Sequence, residues 1–132
     1  MANNLMAENG RRMAELLEKF GNRNVCVRNG SSWDLKIYLE KYEDRIMVEI
    51  GTFSEYEGDL LENPSFTVSL SVDSSRNITE AKPTLYRRIT LCEDPIELTR
   101  KDVGEELDQR LNSFLDGIKL SGYLSSTDIK EL

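Results

Sequence analysis

The strongest constraint on the fold is an alternation of apolar and hydroxyl side chains over residues 64–73. Side chains of a β-strand point to opposite faces of the sheet with a period of two residues, so this segment is predicted to be a strand. A strand buried on both faces lacks such alternation, so we place it inside an antiparallel sheet whose second face meets water or a partner. The apolar face holds Phe66, Val68, Leu70 and Val72, and the hydroxyl face holds Thr67, Ser69 and Ser71.

Similar alternation in other segments predicts a sheet of about five strands connected as a meander. Residues 33–40 and 45–50 form a hairpin in this interpretation, and a short strand over residues 25–27 precedes it. The last strand covers residues 85–92, where Arg87 shares the predicted inward face with Leu85. Residues 51–63 are predicted to end a strand and then form an exposed acidic loop. Residues 74–83 are predicted to be a connection, because Pro83 is unfavourable inside a central strand.

Two amphipathic helices are predicted, one near each end of the chain. Gly10 is expected to weaken the start of the first helix, and Gly21 to end it. Thr99 and Gly122 are the start and stop signals of the second helix. The apolar stripes comprise Met6, Met13, Leu16, Leu17 and Phe20, and then Val103, Leu107, Leu111, Phe114, Leu115 and Ile118. The order of elements predicts an α+β fold with an N-terminal and a C-terminal helix packed on one face of the antiparallel sheet.

The length of 132 residues suits one α+β domain over residues 1–132, with residues 125–132 as a flexible tail. The first ten residues lack the basic start and apolar stretch of a secretory signal, and no apolar run approaches the roughly 20 residues that cross a bilayer. We therefore expect a cytoplasmic protein that does not contact the membrane. Cys26 and Cys92 fall in predicted strands and are expected to be buried free thiols, with a disulfide between them as the alternative.

The net charge of −7 is unevenly distributed along the chain. Residues 40–62 contain eight acidic and two basic residues, whereas residues 63–92 contain four basic and two acidic ones. A field of this sign repels nucleic acid and anionic membranes and favours a basic protein partner. The predicted partner-binding residues are Glu40, Glu43, Asp44, Glu49, Glu55, Glu57, Asp59 and Glu62.

The chain contains no histidine. This removes an imidazole-activated nucleophile, a histidine general base and nearly every catalytic zinc site. No glycine-rich phosphate loop is present either. We therefore predict no catalytic residues, no metal ligands and no cofactor, and favour a non-enzymatic protein-binding module. Such a module includes an inhibitor or nucleic-acid mimic that acts on a basic partner, and a homo-oligomer that packs through its hydroxyl face is a further alternative.

An enzyme remains the competing hypothesis. Asp73 followed by Glu80 and Lys82 has the acid and acid-x-lysine order of magnesium nucleases, in which carboxylates hold the metal and lysine steadies the attacking water. Pro83 directly after Lys82 departs from that pattern, which needs a continuing strand. Calcium binding by Glu55, Glu57 and Asp59 is disfavoured, because the glycine and the closing glutamate of an EF-hand loop are missing from their places.

Two segments carry a family resemblance. Residues 111–124, which read LNSFLDGIKLSGYL, and the acidic residues 57–64 before a β-run are similar to small uncharacterised α+β proteins of Gram-positive bacteria and their mobile elements. The similarity covers less than half of the chain. It implies a cytoplasmic bacterial protein of unassigned activity and transfers no functional residues.

Overall fold

The computed structural model describes residues 4–132, which form an α+β fold around one seven-stranded antiparallel sheet. Residues 1–3, part of the segment in which we expect no secretory signal, lie outside the described residues. The elements are α1 (Asn4–Lys19), β1 (Val25–Arg28), β2 (Asp34–Lys41), β3 (Arg45–Tyr56), β4 (Asp59–Val72), β5 (Ile78–Ile89), β6 (Ile96–Thr99), α2 (Arg100–Val103), α3 (Glu106–Leu120), a 3₁₀ turn (Tyr123–Ser125) and β7 (Asp128–Glu131). The strand order is β6-β5-β4-β3-β2-β1-β7.

One face of the sheet is covered by α1 and α3. Ile37, Ile50, Phe66 and Tyr86 are paired in one line across β2 to β5, and all four side chains are buried. They belong to the same apolar core as Met13, Leu17 and Phe20 of α1 and Leu107, Leu111 and Phe114 of α3.

The predicted inward face is confirmed for Phe66, Val68 and Leu70, and Val72 at its end is partly buried. The N-terminal stripe is confirmed from Met13 to Phe20, while Met6 is only partly buried. The predicted C-terminal helix is two helices in the structure, because α2 ends at Val103 before Gly104 and α3 begins at Glu106; the stripe from Leu107 to Ile118 on α3 is buried as predicted.

The opposite face of the sheet, which we call the open face, carries the alternate side chains. One line of paired residues on this face runs through Tyr38, Glu49, Thr67, Leu85 and Thr99. Thr67 and Ser69 are half-buried and Ser71 is exposed, as expected for hydroxyl groups on a face without helices. The predicted separation of apolar and hydroxyl faces in β4 is thus present in the structure.

The sheet has seven strands where we predicted about five. The two extra strands, β6 and β7, have four residues each and form the two edges. Neither has the long alternation that reveals a strand in a sequence, and each depends on its neighbour for its backbone hydrogen bonds. We expected a flexible tail over residues 125–132, but Asp128–Glu131 pairs with Val25–Arg28 of β1.

The last long strand differs from its predicted position. It begins at Ile78, so that Pro83 lies inside β5. Proline is tolerated there because β6 pairs with β5 only from Leu85 to Arg88, and the pairing between β4 and β5 shifts register beside Pro83. The register also turns Tyr86 towards the core and Arg87 towards the open face, which removes the charge that the sequence had placed inside.

The two cysteines lie in different environments, and both are free thiols. Cys26 is buried in β1, as predicted, and burial raises the pKa of its thiol. The prediction for Cys92 was wrong, because β5 ends at Ile89 and Cys92 lies exposed in the connection to β6. Because it is exposed while Cys26 is buried, Cys92 is the accessible thiol of the pair.

Gly10 marks a close approach between α1 and the sheet. The helix begins at Asn4 and continues through Gly10, although we expected this glycine to weaken it. A Cβ atom on Gly10 would lie 2.8 Å from Cα and 2.9 Å from the backbone nitrogen of Glu80 in β5. The missing side chain therefore allows the helix to pack directly on the strand backbone.

Substitution of the two helical glycines by alanine is expected to have opposite effects. Gly10→Ala should lower the free energy of unfolding by about 1–2 kcal/mol, because the clash with the β5 backbone outweighs the gain in helix propensity. Gly117→Ala in α3 should raise it by about 0.5–1 kcal/mol, because no atom lies within 4 Å of the added Cβ. Urea unfolding measures both, and effects of the same sign would contradict the close packing of α1 on β5.

Candidate protein-binding hairpin

The ends of β3 and β4 extend beyond the strands beside them. In the described part of the chain, β2 pairs with β3 as far as Phe53, and β5 pairs with β4 as far as Glu62. Residues 54–61 are therefore paired only with each other and form a two-stranded arm, about 10 Å long at the usual rise per residue. We call residues 54–61 the arm.

The arm replaces the exposed acidic loop that we predicted for this region. Tyr56 pairs with Asp59, which leaves Glu57 and Gly58 as a two-residue turn. Both turn residues have positive φ, 51° for Glu57 and 86° for Gly58, as a type I′ hairpin turn requires. The strand pair therefore continues to its tip, and the acidic side chains are held on a regular hairpin rather than on an irregular loop.

The arm exposes acidic and large apolar side chains together. Glu55, Glu57 and Asp59 are exposed, and so are Tyr56 (50% exposed) and Leu60 (53% exposed). Glu55 faces Leu60 across the strand pair, and Tyr56 faces Asp59. Because successive residues alternate between faces, each face of the arm presents one carboxylate beside one apolar side chain.

The base of the arm is tightly packed. Ser65 Oγ donates a hydrogen bond to Glu62 Oε1 at 2.6 Å, and both residues are buried. Thr52 Oγ1 donates to the carbonyl oxygen of Asn63, and the pairing of β3 with β4 shifts register between Gly51 and Phe53. A Cβ atom on Gly51 would lie 2.6 Å from the carbonyl oxygen of Pro64, so glycine is needed for this bulge. The arm is thus fixed in direction by its base.

The eight predicted partner-binding residues do not form one surface. Glu55, Glu57 and Asp59 lie on the arm, and Glu62 is buried at its base. The remaining four are Glu40 and Glu49, which are exposed on the open face, and Glu43 and Asp44, which are in the turn between β2 and β3. That turn lies at the other end of β3, a strand of 12 residues that spans about 37 Å.

The turn at the far end is also partly neutralised. Arg45 lies 3.5 Å from Asp44, and Arg76 Nη1 donates a hydrogen bond of 2.6 Å to the carbonyl oxygen of Glu43. The arm has no basic residue of its own between positions 54 and 61. Of the predicted acidic residues, those on the arm are therefore the ones that the fold presents together and away from basic side chains of the same segment.

Of the residues nominated for a metal enzyme, Asp73 has a structural role, while Glu80 and Lys82 lie on the open face of β5. Asp73 Oδ1 accepts hydrogen bonds from the backbone nitrogens of Ser75 and Asn77, both at 2.9 Å, and so shapes the turn between β4 and β5. Glu80 and Lys82 lie on the open face opposite Ser71 and Ser69. Within residues 4–132, no three His, Cys, Asp or Glu side chains are placed to hold a metal ion.

A cleft of about 420 Å³ lies beside the base of the arm, between the connection of β1 to β2, the bulge of β3 and β4 at Thr52 and Asn63, and the end of α3. Its lining includes Trp33, Phe114 and Tyr123, but its polar groups already bond within the chain. Tyr123 donates to the carbonyl oxygen of Trp33, and Asn29 Nδ2 donates to the carbonyl oxygen of Ser121 at 2.8 Å. Burial raises the pKa of Tyr123, which keeps it a neutral donor. The cleft therefore presents few free polar groups to a ligand.

Tyr56 and Leu60 are the site residues that our sequence analysis missed. The available signal for a two-residue turn was the pair Glu57-Gly58, with Tyr56 directly before it and Leu60 two residues after Gly58. The fold and the arm together define a seven-stranded antiparallel α+β protein with a projecting acidic hairpin. Comparison with known proteins gave no matching family model, no matching curated protein and no matching solved structure. None of the helices within residues 4–132 has the length and apolar character needed to cross a membrane.

Proposed function

We propose that this protein is a non-enzymatic binding module that docks its arm on a basic surface of a partner protein. The observation that carries the proposal is the exposure of Tyr56 and Leu60 beside three carboxylates on a regularly paired, projecting hairpin. Interfaces gain most of their affinity from a few buried aromatic and aliphatic anchors, while charged groups around them set orientation and association rate. The arm combines both features on two faces.

An inhibitor that inserts the arm into a basic cleft fits this geometry better than an extended nucleic-acid mimic. A mimic needs a continuous row of carboxylates. Here Glu62 is buried, while Glu40 and Glu49 share the open face with Lys36 and Arg45. The acidic residues that remain together are those of the arm. We therefore expect a partner with a groove that is basic at its rim and apolar inside.

The test is a selection of random displayed peptides on the full chain, followed by affinity measurement on one enriched synthetic peptide by fluorescence anisotropy. We expect enriched peptides to combine lysine or arginine with apolar residues. Their affinity should fall at least about tenfold in the arm variant Glu55→Gln, Glu57→Gln, Asp59→Asn, and also when salt rises from about 50 to about 500 mM. The double variant Tyr56→Ser, Leu60→Ser should have a lower affinity for the peptide in low salt and also in high salt.

The matched control removes the same number of charges from the other end of β3. The variant Glu40→Gln, Glu43→Gln, Asp44→Asn should bind the selected peptide as the wild type does. Equal loss of affinity in this variant and in the arm variant would show a general charge effect and overturn the proposal. Enrichment of acidic or uncharged peptides would overturn it too.

A further inference from the structure

We propose that the open face of the sheet is the interface of a homodimer. This inference concerns a different surface from the arm. A single line of paired residues crosses all seven strands on this face, from Lys130 through Cys26 and Lys36 to Arg87 and Glu97. The helices lie on the other face, and within residues 4–132 no helix covers this one. Cys26 and Ser65 on this line are buried, and most of the other charged and hydroxyl side chains of the face are exposed or half-buried.

The first argument is charge. We count the charged side chains on the open face of β2 to β6, between the row of paired residues that contains Lys36 and the row that contains Arg45. Basic and acidic side chains are equally numerous there. The bases are Lys36, Arg45, Lys82 and Arg87, and the acids are Glu40, Glu49, Glu80 and Glu97. On β2 to β6 this surface therefore has no net charge, and Lys130 at the β7 edge adds a single base, so the −7 of the chain is carried elsewhere.

Charge balance selects a second copy as the occupant. Two copies of a chain with a net charge of −7 repel each other across any acidic surface. A surface of zero net charge with both signs interspersed avoids this repulsion. In a two-fold interface the same surface is used by both protomers, so acids of one copy can meet bases of the other. A basic partner, in contrast, would gain nothing from this face.

The second argument is shape. Strand β4, beside the middle strand β3, contributes the small side chains Thr67, Ser69 and Ser71, which leave a flat strip near the centre of the face. Tyr38, 37% exposed, and the half-buried Met47 and Leu85 stand on the strands around it. Two sheets pack face to face at about 10 Å, a distance that side chains of this size fill.

The third argument is area. Strands β2 to β5 each offer about 23 Å of length at a spacing of about 4.8 Å, and the four-residue strands β1, β6 and β7 offer about 13 Å each. The face therefore offers on the order of 600 Å² to a flat partner, at the lower end of the roughly 600–1,000 Å² per protomer of a standard specific interface. A stable dimer thus needs no surface beyond the open face.

Sedimentation equilibrium on the full chain tests the proposal. At protomer concentrations up to about 100 μM we expect twice the 15.1 kDa chain mass. Ser69→Arg, at the centre of the face, should give a monomer, whereas Ser113→Arg, exposed on α3, should leave the dimer intact. A wild-type monomer at every concentration would overturn the proposal, and so would a Ser69→Arg protein as dimeric as the wild type.

A second variant separates dissociation from misfolding. Glu40→Lys with Glu49→Lys gives the face a net charge of +4 on each protomer, so the dimer should dissociate in low salt and re-form in high salt. A misfolded protein would not recover in this way. A double variant that stays dimeric in low salt would exclude the open face. The arm lies outside the counted part of the open face, so the variant Glu55→Gln, Glu57→Gln, Asp59→Asn should remain dimeric. The dimer proposal and the proposed function of the arm can therefore fail independently.

Discussion

Replacing Asp108 with alanine is expected to lower the free energy of unfolding by about 3–5 kcal/mol, among the largest effects available to a single substitution here. The Asp108 side chain is 1% exposed and binds Arg100 through two hydrogen bonds, of 2.8 and 3.0 Å. Arg100 also donates to the carbonyl oxygen of Pro83 in β5, and hydrogen bonding to Asp108 raises the pKa of the guanidinium. Alanine would leave this cation largely buried without its carboxylate.

The expected loss of stability is large because the ion pair of Arg100 and Asp108 connects several elements of the fold. Arg100 belongs to α2, Asp108 to α3 and Pro83 to β5, while Asn9 of α1 donates through Nδ2 to the backbone oxygen of Asp108 at 3.0 Å. The ion pair thus lies where three helices meet the sheet. Its loss should open this junction as well as remove the charge pairing. Urea unfolding followed by circular dichroism measures the loss.

Glu106→Ala is the matched control for Asp108→Ala. Glu106 lies on the same helix and pairs with Arg110 at 2.9 Å, and both side chains are exposed, 49% for Glu106 and 40% for Arg110. We expect a loss of no more than about 1 kcal/mol, the usual value of a surface ion pair. Asp108→Ala should also cost much less in an Arg100→Met background, where no buried cation remains. Equal costs in both backgrounds would show that the pair itself contributes little.

The long strands and helices were predictable because the spacing of their apolar side chains in the sequence indicates which face is buried. Four apolar residues at alternate positions of β4 face the core, and a one-residue shift would have sent them all to the open face. Gly21 and Gly122, both with φ near 80°, end their helices as glycine does at a left-handed cap. Thr99 accepts a hydrogen bond from the backbone nitrogen of Asp102 at the start of α2. Each of these features depends on local geometry alone.

The edges of the sheet and the site were not predictable in the same way. β6 and β7 are stabilised by backbone pairing with strands that come from distant parts of the chain, so their own four residues carry little signal. The sequence predicts a loop in place of the arm, because acidic residues dominate this segment. Its regularity depends on one positive-φ pair, Glu57 and Gly58, and on a bulge at Gly51 that only glycine fits. The carboxylates of residues 40–62, which are close together in the sequence, are therefore not all close together in space.

Phe66→Ala is the second substitution with a large expected effect, a loss of about 3–5 kcal/mol in the free energy of unfolding. Phe66 is 1% exposed at the centre of the sheet. Its ring lies 5.3 Å from that of Tyr86 in an edge-on arrangement and 5.4 Å from that of Phe114 on α3. Truncation would remove both ring contacts and leave a cavity between β4, β5 and α3, which the rigid strands cannot fill by moving together.

Leu120→Ala is the control for Phe66→Ala, because Leu120 is equally apolar but 85% exposed at the end of α3. Its substitution should change the free energy of unfolding by no more than about 0.5 kcal/mol. Phe66→Leu should recover much of the loss, since it refills most of the cavity without restoring the aromatic pairs. A loss below about 1 kcal/mol in Phe66→Ala would mean that α3 does not pack on β4 as described. In that case the separation of a helix-covered face from an open face, on which the proposed dimer depends, would also fail.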